Sequence, residues 1–86
     1  MKRTVTWAAV VQADIERMGY LDAQRVCMAV FAFARDGSGR VERVDPNNPR
    51  LVRVRTRGGV ALLSFTDEEV HIWRMFATPA TGGAAR

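Results

Sequence analysis

An α+β domain is predicted, with an N-terminal strand, an antiparallel helix hairpin and a three-stranded antiparallel meander, both helices lying on one face of a small sheet. Apolar residues at helical spacing run through the first half, and strict alternation flanks a pair of glycines in the second. A length of 86 residues with a single cysteine suits one sheet closed by one helical layer, without a disulfide.

The elements follow in order. RTVTW, residues 3–7, alternates with β-branched residues and reads as a strand. Trp7, Val11, Ile15 and Met18 then fall on one helical stripe, with Asp14, Glu16 and Arg17 off it and Gly19 placed to end the helix. Asp22 offers an N-cap for a second helix. There Val26, Val30 and Phe33 share a face, Cys27, Phe31 and Ala34 lie beside it, and Gly37 supplies the stop. Gly19, Tyr20 and Leu21 are the whole connection, so the helices form an antiparallel hairpin whose wide apolar face calls for a sheet. GSGR, 37–40, is a turn, and VERV, 41–44, is either a short strand or an extended approach to the next one. DPNNP, 45–49, reads as a surface loop. LVRVRTR, GlyGly, VALLSF, TDEE and VHIWRMF spell out the meander. The domain is expected to span 1–77, with 78–86 a flexible tail of small residues.

Composition narrows the classes of function. No apolar run reaches the ~18–20 residues of a membrane span, and MKRTVTW lacks the apolar centre of a signal peptide, so a soluble, unprocessed protein is expected, and the lone Cys27 suits a reducing cytoplasm. Cys27 reads as a small buried side chain rather than a nucleophile. CxxC, HExxH and phosphate-binding glycine loops are missing, and neither a metal nor a nucleotide cofactor is expected. The net charge of +4 is concentrated in residues 40–57, where Arg40, Arg43, Arg50, Arg53, Arg55 and Arg57 face only Glu42 and Asp45. Such a patch favours a polyanion, nucleic acid above all, or an acidic protein partner.

A two-residue turn at Gly58 and Gly59 puts Arg57 opposite Val60, Arg55 opposite Leu62 and Arg53 opposite Ser64. Val54 then meets Leu63, and Val52 meets Phe65, on the core face. A turn tipped by Asp67 and Glu68 next pairs Ser64 with His71 and Leu62 with Trp73. The open face therefore carries Arg53, Ser64 and His71 in one row, Arg55 and Trp73 in the next, and Met75 beyond. A cation, a hydroxyl and an imidazole in mutual reach suit phosphate binding and proton transfer. Val60, Leu62, Trp73 and Met75 also make this face more apolar than a soluble monomer leaves in water, which suits a covering partner or a second copy of the chain. Plainer uses exist for the same residues. Alternating arginines suit a solvated face, a lone histidine suits a structural hydrogen bond, and Trp73 suits packing. Arg74 falls on the core face in this register and is expected to snorkel past the helices.

VTWAAVVQADIERM, with an aromatic at the strand end leading into an Ala-rich helix, resembles the RelE/ParE superfamily of toxins from bacterial toxin–antitoxin pairs. RLVRVRTRGGVALLSFTDEEVHIWRMF resembles that family's basic strand, glycine turn, apolar strand, acidic turn and final strand. The likeness covers about residues 3 to 77. It implies a protein neutralised by a cognate antitoxin and acting either on the ribosome as an endoribonuclease that cuts messenger RNA, or on DNA gyrase as an inhibitor. Under the ribonuclease reading Arg53 and Arg55, which match the family's basic-strand positions in kind, take the scissile phosphate, while the register and the charge pattern, not the likeness, put forward His71 for the proton and Arg50, Arg57, Ser64 and Trp73 along the RNA. Val60, Leu62, Trp73 and Met75 would meet the partner. Val60, Ala61 and Leu62 stand where the family usually has an arginine after the glycine turn, and ATPATGGAAR has neither tyrosine nor internal arginine. Cleavage by this chain would therefore call on His71 or Arg74. A non-toxic protein-interaction module is the remaining class.

Overall fold

The computed structural model describes residues 2–78, ordered as β1 (Thr4–Trp7), α1 (Val10–Met18), α2 (Tyr20–Asp36), β2 (Arg40–Asp45), β3 (Asn48–Thr56), β4 (Gly59–Phe65) and β5 (Glu69–Ala77). The strands make one five-stranded sheet in the order β1-β5-β4-β3-β2, with β1 parallel to β5 and all other neighbours antiparallel. The expected three-stranded antiparallel meander is thus corrected to a mixed sheet, because each outer strand of that meander gains a neighbour. The expected tail lies, from residue 79 onward, outside the described residues.

β2 holds no apolar stripe and lies beyond the reach of the helices, so its side chains are exposed except at half-buried Asp45. Pairing with β3 and a tight turn at Pro46 and Asn47 hold it, with Asp45 opposite Asn48 and the Asn47 amide donating to the Asp45 carboxylate at 2.9 Å. The Asx bond closes DPNNP into a hairpin where a longer loop was expected.

α2 packs against β3, β4 and β5, and α1 against β5. Val11, Val26, Val30 and Phe33 meet Val52, Val54, Leu63, Val70, Ile72 and Met75 in one buried cluster on that side of the sheet. Trp7 belongs to β1 rather than to the helical stripe and is half exposed. The interhelical connection is shorter than expected. Gly19, at φ 91°, reverses the chain by itself, so α2 starts at Tyr20 and Asp22 sits in its first turn rather than capping it. Gly37 ends α2 in the left-handed conformation, its N–H donating to the Phe33 carbonyl at 2.7 Å. Among the described residues no helix is long and apolar enough to cross a membrane.

Two departures from the expected register shape the open face. The β3–β4 turn is Arg57–Gly58, with Thr56 opposite Gly59. Gly58 takes the positive φ of 91° that the turn needs. Gly59 is a buried strand residue, where a Cβ would lie 2.5 Å from Val26 Cγ2 and 3.0 Å from the Phe76 carbonyl oxygen. The pairing therefore shifts by two residues, which keeps each side chain on its expected face but changes its neighbours. Arg53 lies opposite Leu62, Arg55 opposite Val60, and Leu51 opposite Ser64. The second departure is a β-bulge. Leu63 pairs with Ile72 but Leu62 with Arg74, leaving Trp73 as an extra residue in β5. Past the bulge the alternation is reset, and Met75 turns into the core opposite Ala61 at 1% exposure.

Candidate functional site

The helix-free face of the sheet divides into a basic half on β2 and β3 and an imidazole half on β1, β4 and β5. In the basic half the β2–β3 ladder sets Glu42 opposite Arg53 and Arg40 opposite Arg55. Arg55 donates from Nε and Nη2 to the two Glu42 oxygens at 3.2 Å each. Arg53 Nε stands 3.7 Å from the same carboxylate, within ion-pair reach but beyond hydrogen-bond distance, and this buried atom has no hydrogen-bond partner among the described residues. Hydrogen bonding from Arg55 holds the Glu42 carboxyl below its usual range against partial desolvation, and the charges of Arg55, Arg53 and Arg40 act in the same direction. Three guanidinium groups around one carboxylate leave an excess of positive charge on this half.

Arg57 occupies the β3–β4 turn and is exposed at the sheet end. Arg50 lies on the helix side instead. Its Nη1 donates to the Phe65 carbonyl at 3.3 Å, and its guanidinium stands 5.6 Å from the centre of the Phe65 ring. Phe65 packs against the helix-side core, so Arg50 is directed away from Arg53 and Arg55.

In the imidazole half Ser64 faces His71 directly, as expected, while Arg53 stands one residue pair out of that row. Trp73 Nε1 donates to Ser64 Oγ at 2.9 Å, and the Trp73 and His71 rings meet edge to face with centroids 4.5 Å apart. Parallel pairing of β1 with β5 sets Thr6 beside His71. The Thr6 hydroxyl lies 2.7 Å from His71 Nδ1 and donates to Glu69 Oε2 at 2.7 Å. Of the residues expected to meet a partner, Leu62 is half-buried and Trp73 is 46% exposed. Met75 is withdrawn into the core by the bulge. Val60, at 5% exposure, is shielded between its ladder neighbours Arg55 and Phe76. Phe76, 45% exposed and not singled out from sequence, supplies apolar surface in their place.

The strongest polar cluster was not anticipated. Asp14, fully buried on α1, accepts from Arg74 Nε at 2.9 Å, Arg74 Nη2 at 3.0 Å, Arg17 Nη1 at 2.9 Å and the Met75 amide at 3.0 Å. The Arg74 hydrogen bonds, joined by the Met75 amide and Arg17, outweigh burial and hold the carboxyl far below its usual range. β1 ends opposite Ile72, and the Asp14 carboxylate takes the edge N–H of Met75 beyond that point. Arg74, set opposite Leu62 by the bulge, reaches around the sheet edge to this carboxylate rather than snorkelling past the helices from the core face. The cluster joins α1 to β5. The expected exclusion of Asp14 from the helical stripe is thereby corrected: Val11, Asp14, Ile15 and Met18 form an i, i+3, i+4, i+7 set, and Asp14 is fully buried within it.

Cys27 is half-buried on α2, and burial pushes its thiol up, away from the thiolate a nucleophile needs. Among the described residues no group of three or more His, Cys, Asp or Glu gathers to hold a metal ion. Comparison with protein-family models finds no match, and neither does comparison with curated proteins.

Proposed function

We propose that this chain is a toxin of the RelE/ParE type that acts in the cytoplasm on RNA through its open sheet face, and that an antitoxin covering the same face neutralises it. The observation that carries the reading is the meeting, on one helix-free surface, of the Arg40, Arg53 and Arg55 cluster with an imidazole and an exposed indole. Phosphate groups are drawn to clustered guanidinium groups, and unstacked bases to aromatic faces. Arg53 and His71 lie two strands apart and two residues out of line along the strands, about 12 Å at ordinary strand dimensions. Arg53 and Arg55 hold the phosphate, His71 serves as the proton-transfer group, and Trp73 is the stacking platform. The exposed Trp73 and Phe76 rings give the antitoxin an apolar footing beside the arginines.

Induced expression in bacteria tests this, with wild type beside the Arg53→Ala, Arg55→Ala double variant and folding checked by circular dichroism. Growth arrest with cut messages for wild type, relieved in the double variant, is the expected result. Arrest with intact messages and DNA-damage signalling would move the target to gyrase. No arrest with folded protein present would leave a non-toxic interaction module.

A further inference from the structure

We infer that Thr6 and Glu69 are positioning residues that hold the neutral His71 ring with its proton on Nδ1, leaving Nε2 as the free base. The inference rests on the reading of His71 as the proton-transfer group, but the geometry behind it is independent of any target. The Thr6 hydroxyl carries one proton and stands 2.7 Å from both Glu69 Oε2 and His71 Nδ1. A carboxylate only accepts, so the Thr6 proton goes to Glu69, and the Thr6 oxygen is then left to accept from Nδ1–H. Nε2 makes no hydrogen bond to any described residue, and it is the nitrogen left with the lone pair. A general base must present a lone pair to its substrate, and the tautomer is set by the bond the other nitrogen makes. The sheet supplies the pieces: Glu69 precedes His71 by two residues on β5, and parallel pairing lays Thr6 beside His71. The edge-to-face contact with Trp73 restrains the ring further.

The experiment is a long-range proton–nitrogen NMR correlation on histidine-labelled protein at about pH 8, where ordinary imidazole is neutral. His71 is the chain's one histidine, so assignment is unambiguous. The expected wild-type spectrum shows Nδ1 protonated and Nε2 bare, in at least tenfold excess over the other tautomer. Thr6→Val removes the hydroxyl while keeping a β-branched strand residue, and should make the Nε2–H form the major one. Thr6→Ser should restore the wild-type ratio. Glu69→Gln, whose amide can donate to Thr6 and release the Thr6 proton to Nδ1, should shift the ratio toward Nε2–H. A wild-type spectrum dominated by Nε2–H, or a Thr6→Val spectrum identical to wild type, would overturn the inference. Growth arrest is read separately. If His71→Ala still arrests growth, the proton-transfer role of His71 fails even where the tautomer holds; if Thr6→Val and His71→Ala both abolish arrest and Thr6→Ser rescues it, the positioning role stands.

Discussion

Replacing Asp14 by Asn changes almost nothing in shape and removes one charge from a fully buried position. The wild-type carboxylate accepts four hydrogen bonds, from Arg74 twice, from Arg17 and from the Met75 amide. Asparagine keeps one oxygen able to accept from Met75 or Arg74, but its amide group turns donors toward donors. Breaking a buried ion pair costs about 3–5 kcal/mol. The low end applies here, because the Arg74 side chain is 40% exposed and the Arg17 side chain 66%, so both recover hydration once released. A loss of about 3 kcal/mol is a large share of the roughly 5–15 kcal/mol that holds a small domain folded. At about 4–8 °C per kcal/mol for a chain of this size, the melting temperature should fall by about 12–24 °C.

Acid titration supplies a second reading of the same variant. The folded Asp14 carboxyl lies far below its ordinary value of 3.8, so the unfolded chain takes up its proton first as pH falls. The stabilisation is therefore complete above the unfolded value and is lost as pH drops from about 4 toward the folded value. Thermal melts of wild type and Asp14→Asn, followed by circular dichroism from pH 7 to pH 2.5, should show a gap that is constant down to about pH 5 and narrows below pH 4. A variant melting within about 4 °C of wild type at pH 7, or a gap unchanged at pH 2.5, would refute this account of the cluster.

Other perturbations have equally definite outcomes. Glu42→Gln removes the carboxylate that Arg55 grips and Arg53 approaches, and should raise affinity for single-stranded RNA about 3- to 10-fold, with a steeper salt dependence in fluorescence anisotropy; unchanged affinity would mean that these arginines do not meet phosphate. Gly59→Ala forces a methyl group against Val26 and the Phe76 carbonyl and should cost about 1–3 kcal/mol in urea unfolding, whereas a wild-type midpoint would show that α2 yields there. Cys27 should react with iodoacetamide more slowly at pH 8 in the native protein than in urea, and equal rates would remove the burial argument for its raised thiol.

What the sequence discloses is governed by side-chain periodicity. The helices and the first two strands of the meander are legible because each buries one face, and alternation in LVRVRT and VALLSF carries that fact directly. β2 buries no apolar side chain, so RVERVD has no period to read, and its place depends on backbone pairing and on Glu42 reaching Arg55. The same limit hides the parallel partnership of β1 with β5, a long-range pairing that no local pattern specifies. The site was legible in part. Alternation assigns Arg53, Arg55, Ser64 and His71 to one face whichever glycine belongs to the turn, since a two-residue shift preserves parity. A bulge does not preserve it. Met75 was misplaced because Trp73 adds a residue to β5 that alternation cannot count. Thr6 and Glu69 escaped notice because their role depends on two strands far apart in sequence.

The bulge at Trp73 is also what allows one strand to serve both sides of the sheet. Before it, His71 faces the open side, where Thr6 can reach it through the β1 ladder. After it, Arg74 is free to turn around an edge that β1 no longer covers, and Met75 returns to the core with its amide bound to Asp14. An uninterrupted β5 would alternate from His71 straight to Met75 on the open face, remove a methionine from the core and direct Arg74 beneath the helices. Burial of a methionine side chain is worth about 1.5–3 kcal/mol, and an arginine among apolar side chains costs more than that. The extra residue is therefore stabilising in this setting although it interrupts a ladder. Its position also sets the exposed Trp73 ring beside His71 and Ser64, so the feature that completes the core helps to shape the surface proposed to meet RNA.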